Sequence, residues 1–371
     1  PNKQKINIKE NDSEKRNENF GNYSNELLKL IDKILVLDSK KKKLYLYHEY
    51  FPNGNLKLKG HIKFNENSYD YGKYGTWLLS YLDDKSIGMT YSEGRNIFRE
   101  KLKSLFEVNE IDFYFKTVLQ SIFNIEQTAL ALSPTKLFNE NQKRELEKVL
   151  KQLLQEQPLQ YIIGKAYFRS LTLTVNSSVL IPRPETEELV NWVLEDHQNL
   201  EEKQTLIDFG TGSGCIAIAL AKEQPSFEVT AIDFYSSVLN LAKQNAIKNK
   251  TSVSFLQHDI LQLNTLKLNV DIIVSNPPYI PPSEQREMKP NVLNYEPHLA
   301  LFVPENDPLI FYRSILEYGL LYLVSDGLIY FEINPRFLSE MKSLILSFKV
   351  YSILERKDIF GKLRMLRVQK K

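Results

Sequence analysis

A single cysteine, Cys215, occurs in 371 residues, so neither an internal disulfide nor a cysteine-built zinc site can form. Histidine is nearly as scarce, with 5 scattered residues and no pair at the spacing that sets two metal ligands on one helix face. No apolar run approaches the ~20 residues a membrane-spanning helix needs. A surplus of one charge is missing too. Lys+Arg 48 against Asp+Glu 46 leaves a formal net charge of +2, which argues against attachment to nucleic acid or membrane through bulk charge. Residues 1–25 hold almost no aliphatic side chains and mix acids with bases, so they read as frayed chain, not as a signal or transit peptide. The expectation is a cytoplasmic monomer with no metal, no membrane partner and no direct nucleic-acid partner. Length alone allows two or three domains. Methionine is sparse as well: there are 4, and the first is Met89.

What is present changes texture along the chain. Leu27 to Leu35 has helical apolar spacing, and Lys40–Lys43 is a short cationic run that reads as a solvated turn. From Leu44 the pattern alternates as β, and Pro52-Asn53-Gly54-Asn55 is a hairpin turn signal. Tyr50 to Gly60, with Tyr74-Gly75-Thr76-Trp77 later, resembles about one and a half MORN-type β-hairpin repeats, which implies a packing or binding module. From Glu93 to Gln157 the spacing is helical. Asn139 with Gln142 forms a capping box ahead of the stripe Leu146, Val149, Leu150, Leu153 and Leu154, and Pro158 stops that helix. Tyr167 to Val175 reads as a hairpin or linker strand.

Strands and helices then alternate. Strands are expected at Thr205–Phe209, Glu228–Asp233, Val253–Gln257, Val270–Ser275 and Gly327–Glu332. Helices are expected at Cys215–Lys222, Ser236–Lys248, Leu309–Val324 and Phe337–Phe348. Val350–Glu355 and Leu363–Val368 close as a hairpin. This order predicts an α/β fold, Rossmann-like, with a doubly wound sheet ending in a C-terminal β-hairpin.

Two places carry chemistry. Asp208-Phe209-Gly210-Thr211-Gly212-Ser213-Gly214 follows the first strand and opens a helix, where glycines admit a ligand against the backbone. Asp233 ends the next strand, placed to accept from ribose hydroxyls. The loop alone leaves S-adenosylmethionine and NAD both open, because Gly212 to Ala217 also fits Gly-x-Gly-x-x-Gly/Ala. Asn276-Pro277-Pro278-Tyr279, after the apolar strand, favours methyl transfer. An amide or aromatic amine nitrogen is a weak nucleophile because its lone pair is delocalised. The Asn276 side-chain oxygen and the Pro277 carbonyl can accept its two N–H groups, orienting it and favouring the charge it gains. The prolines stiffen that carbonyl, and Tyr279 offers a flat face. Asn276, Pro277 and Tyr279 are the expected catalytic residues.

Leu180-Ile181-Pro182-Arg183-Pro184-Glu185-Thr186-Glu187 just upstream narrows the choice of nitrogen. With it, and with Gln160 to Gly164, Phe168, the Gly-rich loop, Asn276 to Tyr279, Tyr295-Glu296-Pro297, Ala300-Leu301, Glu332, Asp358, Gly361 and Arg364, the chain from about Met89 onward resembles the HemK-type protein-(glutamine) methyltransferases. These modify the glutamine of the Gly-Gly-Gln motif in peptide-chain release factors. The resemblance implies that Asp208, Gly210, Thr211, Gly212, Ser213, Gly214, Asp233, Asp259, Ile260 and Asn276 bind S-adenosylmethionine. Asn276, Pro277, Pro278 and Tyr279 would hold the glutamine, with Arg183, Glu185, Thr186 and Glu187 shaping the site. The partner so implied is a release factor. The chain departs from the family pattern at Asn306-Asp307-Pro308-Leu309, at Asn334-Pro335-Arg336, and at Ile260, where an aromatic is common.

The expected organisation has four parts. Residues 1–88 form a partly disordered N-terminal extension with MORN-like hairpins, and 89–160 a helical substrate-recognition domain. Residues 161–190 are a linker hairpin with the Ile-Pro-Arg-Pro-Glu segment, and 191–371 the S-adenosylmethionine-dependent methyltransferase domain. Met89 falls where a free-standing enzyme of this kind would begin, which marks residues 1–88 as appended. Competing readings are an adenine-N6 methyltransferase of DNA or RNA, an NAD-dependent oxidoreductase, and a binding protein built on a decayed enzyme. Cys215 and His258 are expected to serve packing and hydrogen bonding.

Overall fold

The computed structural model describes residues 89–198 and 202–371, with the backbone of four short strands nearer the N-terminus. Glu49–Tyr50 pairs antiparallel with Leu56–Lys57. Lys3–Lys5, in the stretch expected to fray, pairs antiparallel with Tyr45–Tyr47. The expected helix at Leu27–Leu35, the Lys40–Lys43 run and the Gly75–Trp77 signature lie outside the described residues.

Two compact units make up the chain, residues 1–94 with 130–143 and residues 95–129 with 144–371. In the first, Tyr91 stacks on Phe138 with ring centroids 4.6 Å apart, and the Phe138 amide donates to the Met89 carbonyl at 2.9 Å. Two reciprocal caps stand here. The Asn139 amide donates to Gln142 Oε1 and the Gln142 amide to Asn139 Oδ1, each at 2.9 Å, which starts the helix Glu140–Leu154 as expected. Thr90 and Glu93 cap Tyr91–Leu102 in the same way.

In the second unit, helix Val108–Phe123 buries Ile111, Phe115, Val118 and Leu119. Leu146, Val149 and Leu153 are buried, whereas Leu154, expected on the same face, is exposed. A hairpin follows, β1 (Lys165–Phe168) and β2 (Leu171–Thr174), in the place expected for one. The main sheet has strands β3 (Gln204–Phe209), β4 (Phe227–Asp233), β5 (Ser254–Gln257), β6 (Val270–Ser275), β7 (Leu323–Glu332), β8 (Tyr351–Lys357) and β9 (Leu363–Lys370). Their order is β8-β9-β7-β6-β3-β4-β5, parallel from β5 to β7, with β9 antiparallel between β7 and β8. Helices α1 (Pro184–Asp196), α2 (Cys215–Glu223), α3 (Ser236–Lys248), α4 (Ile310–Tyr322) and α5 (Leu338–Ser347) pack against it.

Both sheet faces are buried, so the strands read as near-continuous apolar runs. Along β6, Ile273 joins the layer of α4 and α5, while Ile272 and Val274 join that of α1 and α2. Each such side chain contributes about 1.5–3 kcal/mol by leaving water. The chain runs outward from β3 to β5 and then crosses back to β6 beside β3. Ligands of open parallel sheets bind at such a reversal, outside the carboxyl ends of the strands.

Two boundaries differ from expectation. Helix α4 ends at Tyr322, not Val324, because Leu323 already pairs with Val270; β7 then bulges, with Asp326 at φ 61°, before Leu328 pairs with Ile272. Residues 184–190, expected in a linker, belong to α1, which starts with Pro184 in its first turn and buries Leu189, Val190, Trp192 and Val193. Among the described residues no helix is long and apolar enough to cross a membrane.

Candidate active site

The carboxyl ends of β3 and β6 face the reversal point, and Ser275 Oγ ties them by donating to the Phe209 carbonyl at 2.7 Å. After β3 the chain turns through Gly210, Gly212 and Gly214, all at positive φ. Gly214 must lack a side chain: a Cβ there would lie 2.8 Å from Ile218 Cδ1 and 3.2 Å from Ala242 Cβ, blocking the approach of α2 to α3. At Gly212 a Cβ would meet nothing within 4 Å, so its open side forms a cradle.

Asp208 sits at the base of this loop, fully buried. Thr211 Oγ1 donates to its Oδ2 at 2.6 Å, but no hydrogen bond of good geometry reaches Oδ1 among the described residues. Burial pushes the carboxyl up to about 7; Thr211 and the Ala217 amide pull the other way, and Asp233 adds to the rise. Asp233, at the end of β4, accepts from the Gly212 amide at 3.0 Å and the Tyr235 amide at 3.3 Å. Burial raises its carboxyl despite those donors. Ile260 stands with its Cδ1 3.6 Å from where a Gly210 Cβ would be, an aliphatic wall for the loop. Asp259 instead caps the turn that follows, accepting from the Leu261 amide at 2.8 Å. Ser213 is buried, and its carbonyl accepts from Asn245 Nδ2 at 2.9 Å.

The second cluster lies at the end of β6. Asn276 Nδ2 donates to Thr186 Oγ1 at 3.2 Å, and Thr186 Oγ1 donates to Glu332 Oε2 at 2.7 Å. Tyr279 Oη donates to the other carboxylate oxygen at 3.1 Å. Glu332 ends β7, the strand beside β6, and is 2% exposed. Burial raises its carboxyl above the ordinary range, against the pull of Thr186, Tyr279 and Arg364 and with a further push from Glu185. Burial, with the Glu332 charge, also raises the Tyr279 hydroxyl, so it stays protonated and remains a donor. No described group donates to Asn276 Oδ1.

The remaining expected residues brace the site. Arg183 pairs with buried Glu296, which also accepts from the Ile181 amide at 3.2 Å. Glu187 accepts from the Arg169 amide at 2.9 Å, holding α1 to the hairpin. Glu185 is half-buried beside Glu332. Pro277 is buried and Pro278 half-buried. His258 engages both ring nitrogens, with the Asp259 carbonyl at 3.0 Å and Thr265 Oγ1 at 2.9 Å. The Cys215 thiol is pushed up to about 12 by burial and by Asp208, which fits packing and not nucleophilic work. Reasoning from sequence attached no role to Glu332. Its place at the carboxyl end of the strand next to β6 is the signal that marks it.

Residues 99–164 match the family described as PrmC N-terminal domain, and 189–293 that described as Methyltransferase small domain. The chain is 42% identical over 276 residues to the release factor glutamine methyltransferase of Flavobacterium psychrophilum, spanning 74% of this chain and 97% of the relative. To that of Bacteroides thetaiotaomicron it is 37% identical over 269 residues, covering 72% and 96%. A solved protein-(glutamine-N5) methyltransferase (release factor-specific) from Alicyclobacillus acidocaldarius shares 26% identity over 54% of this chain and all but 1% of its own, covering 99%, with a TM-score of 0.34. On the extent of the first two matches, the chain belongs to the release factor glutamine methyltransferase family.

Proposed function

We propose that this protein transfers a methyl group from S-adenosylmethionine to the side-chain amide nitrogen of the Gly-Gly-Gln glutamine of a peptide-chain release factor. One observation carries the assignment of the site. The Asn276 side chain is held by its nitrogen, through Thr186, at the sheet edge next to the glycine loop, and its oxygen is left to accept. A glutamine amide presents two N–H donors, and Asn276 Oδ1 with the Pro277 carbonyl is the pair of acceptors that would hold them.

The cofactor fits the loop. No hydrogen bond of good geometry reaches buried Asp208 Oδ1 among the described residues, which leaves a carboxyl oxygen to face a cationic ligand, and the open side of Gly212 admits one against the backbone. Asp208, Gly210 to Gly214, Asp233 and Ile260 would hold S-adenosylmethionine. When bound, it supplies a methyl group activated by a sulfonium. The protein orients the nitrogen and stabilises the positive charge it gains, contributions worth about 10²–10³ in rate for one such acceptor. The methylated nitrogen then sheds a proton to solvent, so no base is needed.

Residues 89–160 act as the recognition domain for the release factor, a reading supported by the match over 99–164. The enzyme works as a monomer in the cytoplasm, with no direct contact to nucleic acid. Incubation with methyl-labelled S-adenosylmethionine and, in parallel, a release factor, duplex DNA and ribosomal RNA should label the release factor alone. Label on DNA or RNA instead would overturn the proposal in favour of adenine-N6 methylation.

A further inference from the structure

The Asn276–Thr186–Glu332 chain has a direction, and direction matters for an amide side chain. Asn276 offers an oxygen and a nitrogen of nearly the same size, and only the oxygen can receive the glutamine N–H groups. We infer that Glu332 is a positioning residue that never touches the glutamine but sets the polarity of Asn276, through Thr186, so that the oxygen faces the acceptor amide. The inference rests on the proposed function.

The logic runs from the carboxylate outward. Both Glu332 carboxyl oxygens accept from hydroxyls, Oε2 from Thr186 at 2.7 Å and Oε1 from Tyr279 at 3.1 Å, so the single proton of the Thr186 hydroxyl is committed to Glu332. A hydroxyl that has spent its proton can offer only lone pairs, so its neighbour must donate. Asn276 can do so only through Nδ2, which lies 3.2 Å away. The flipped rotamer would set Asn276 Oδ1 against a lone pair and leave Nδ2 pointing at the substrate's own N–H groups. Glu332 Oε1 takes the Tyr279 hydroxyl at 3.1 Å, so one carboxylate holds both Asn276 and the aromatic ring of the same loop. The groups facing Glu332 come from α1 (Thr186, Glu185), the loop after β6 (Tyr279) and β9 (Arg364). Thr186 and Glu332 are 3% and 2% exposed, out of reach of bulk solvent.

This gives a task to the threonine of the Ile-Pro-Arg-Pro-Glu-Thr-Glu segment. It is the adaptor between a carboxylate and a carboxamide that do not touch. Valine keeps its shape and removes its hydroxyl, while serine keeps the hydroxyl and drops a methyl.

The test uses the full chain and a release factor at saturating concentrations. T186V and E332Q should each lower kcat about 10²-fold, in the range for a lost transition-state contact, with KM for the release factor and Kd for S-adenosylmethionine within about twofold of wild type. T186S should recover kcat to within about threefold. The double variant T186V/E332Q should lose no more than the worse single, since the two act as one unit. Unchanged kcat in T186V, a loss confined to KM or to cofactor binding, or losses that multiply in the double variant would each overturn the relay. N276A inactive beside a fully active T186V would overturn the relay while leaving the proposed function standing. A wild-type enzyme that labels nucleic acid and not the release factor would overturn both.

Discussion

The proposed cofactor loop and the proposed acceptor site lie on neighbouring strands yet are built by opposite means. The loop is local: Asp208 to Gly214 is a single run, its shape comes from three glycines at positive φ, and the side chains that brace it, Asp233 and Asn245, come from β4 and α3. The acceptor site draws on α1, the end of β6 and the end of β7, with Thr186 and Glu332 146 residues apart in sequence. Their unmet bonding differs as well. Among the described residues, the loop buries a carboxyl oxygen that no hydrogen bond of good geometry reaches, whereas the acceptor site satisfies its buried carboxyl on both oxygens and leaves a neutral amide oxygen open. A cationic cofactor asks for charge, and a neutral amide asks for orientation. The first is met by burying a carboxylate at a cost of about 1–3 kcal/mol, the second by a hydrogen-bonded chain.

The largest break in this comparison is Asn276→Ala. It should lower methyl transfer about 10³-fold while S-adenosylmethionine still binds, as calorimetric titration would detect. Asp208→Asn should do the reverse, weakening cofactor binding by tenfold or more with kcat at saturation little changed. The same site predicts a pH dependence. In the ligand-free protein Asp208 is protonated below about 7, so affinity for the cationic cofactor should rise as pH climbs through that value. Stability goes the other way. A raised carboxyl stabilises the fold fully below its ordinary value of 3.8, and that contribution is lost as pH rises to about 7. D208N should therefore melt higher than wild type at pH 8 and flatten that trend. Arg183→Ala leaves the Glu296 carboxylate buried and unpaired, and urea unfolding should show a loss of about 2–4 kcal/mol. Deleting residues 1–88 should have the smallest effect, with kcat/KM within about twofold.

Most of the sheet was legible because its strands sit between turn signals and its helices repeat at their own period. Val270–Ser275 and Ser236–Lys248 fall where expected, and the C-terminal hairpin closes as expected. The end of α4 was not legible, since the apolar run Leu320 to Val324 suits a helix or a strand equally, and only pairing with Val270 decides. Helix α1 was hidden by prolines at 182 and 184, although proline in a first turn is a start signal. Within the site, the glycine loop and Asn276 to Tyr279 announce themselves as contiguous runs. Thr186 and Glu332 entered only through the family resemblance, with nothing to link them, because a contact across 146 residues leaves no local pattern.

That separation also sets a schedule. During synthesis the glycine loop and Asp233 emerge within one stretch of chain, and β3 and β4 can pair as soon as both are free. Glu332 emerges 146 residues after Thr186, and until β7 docks beside β6 the Asn276 amide has nothing to hold it one way round.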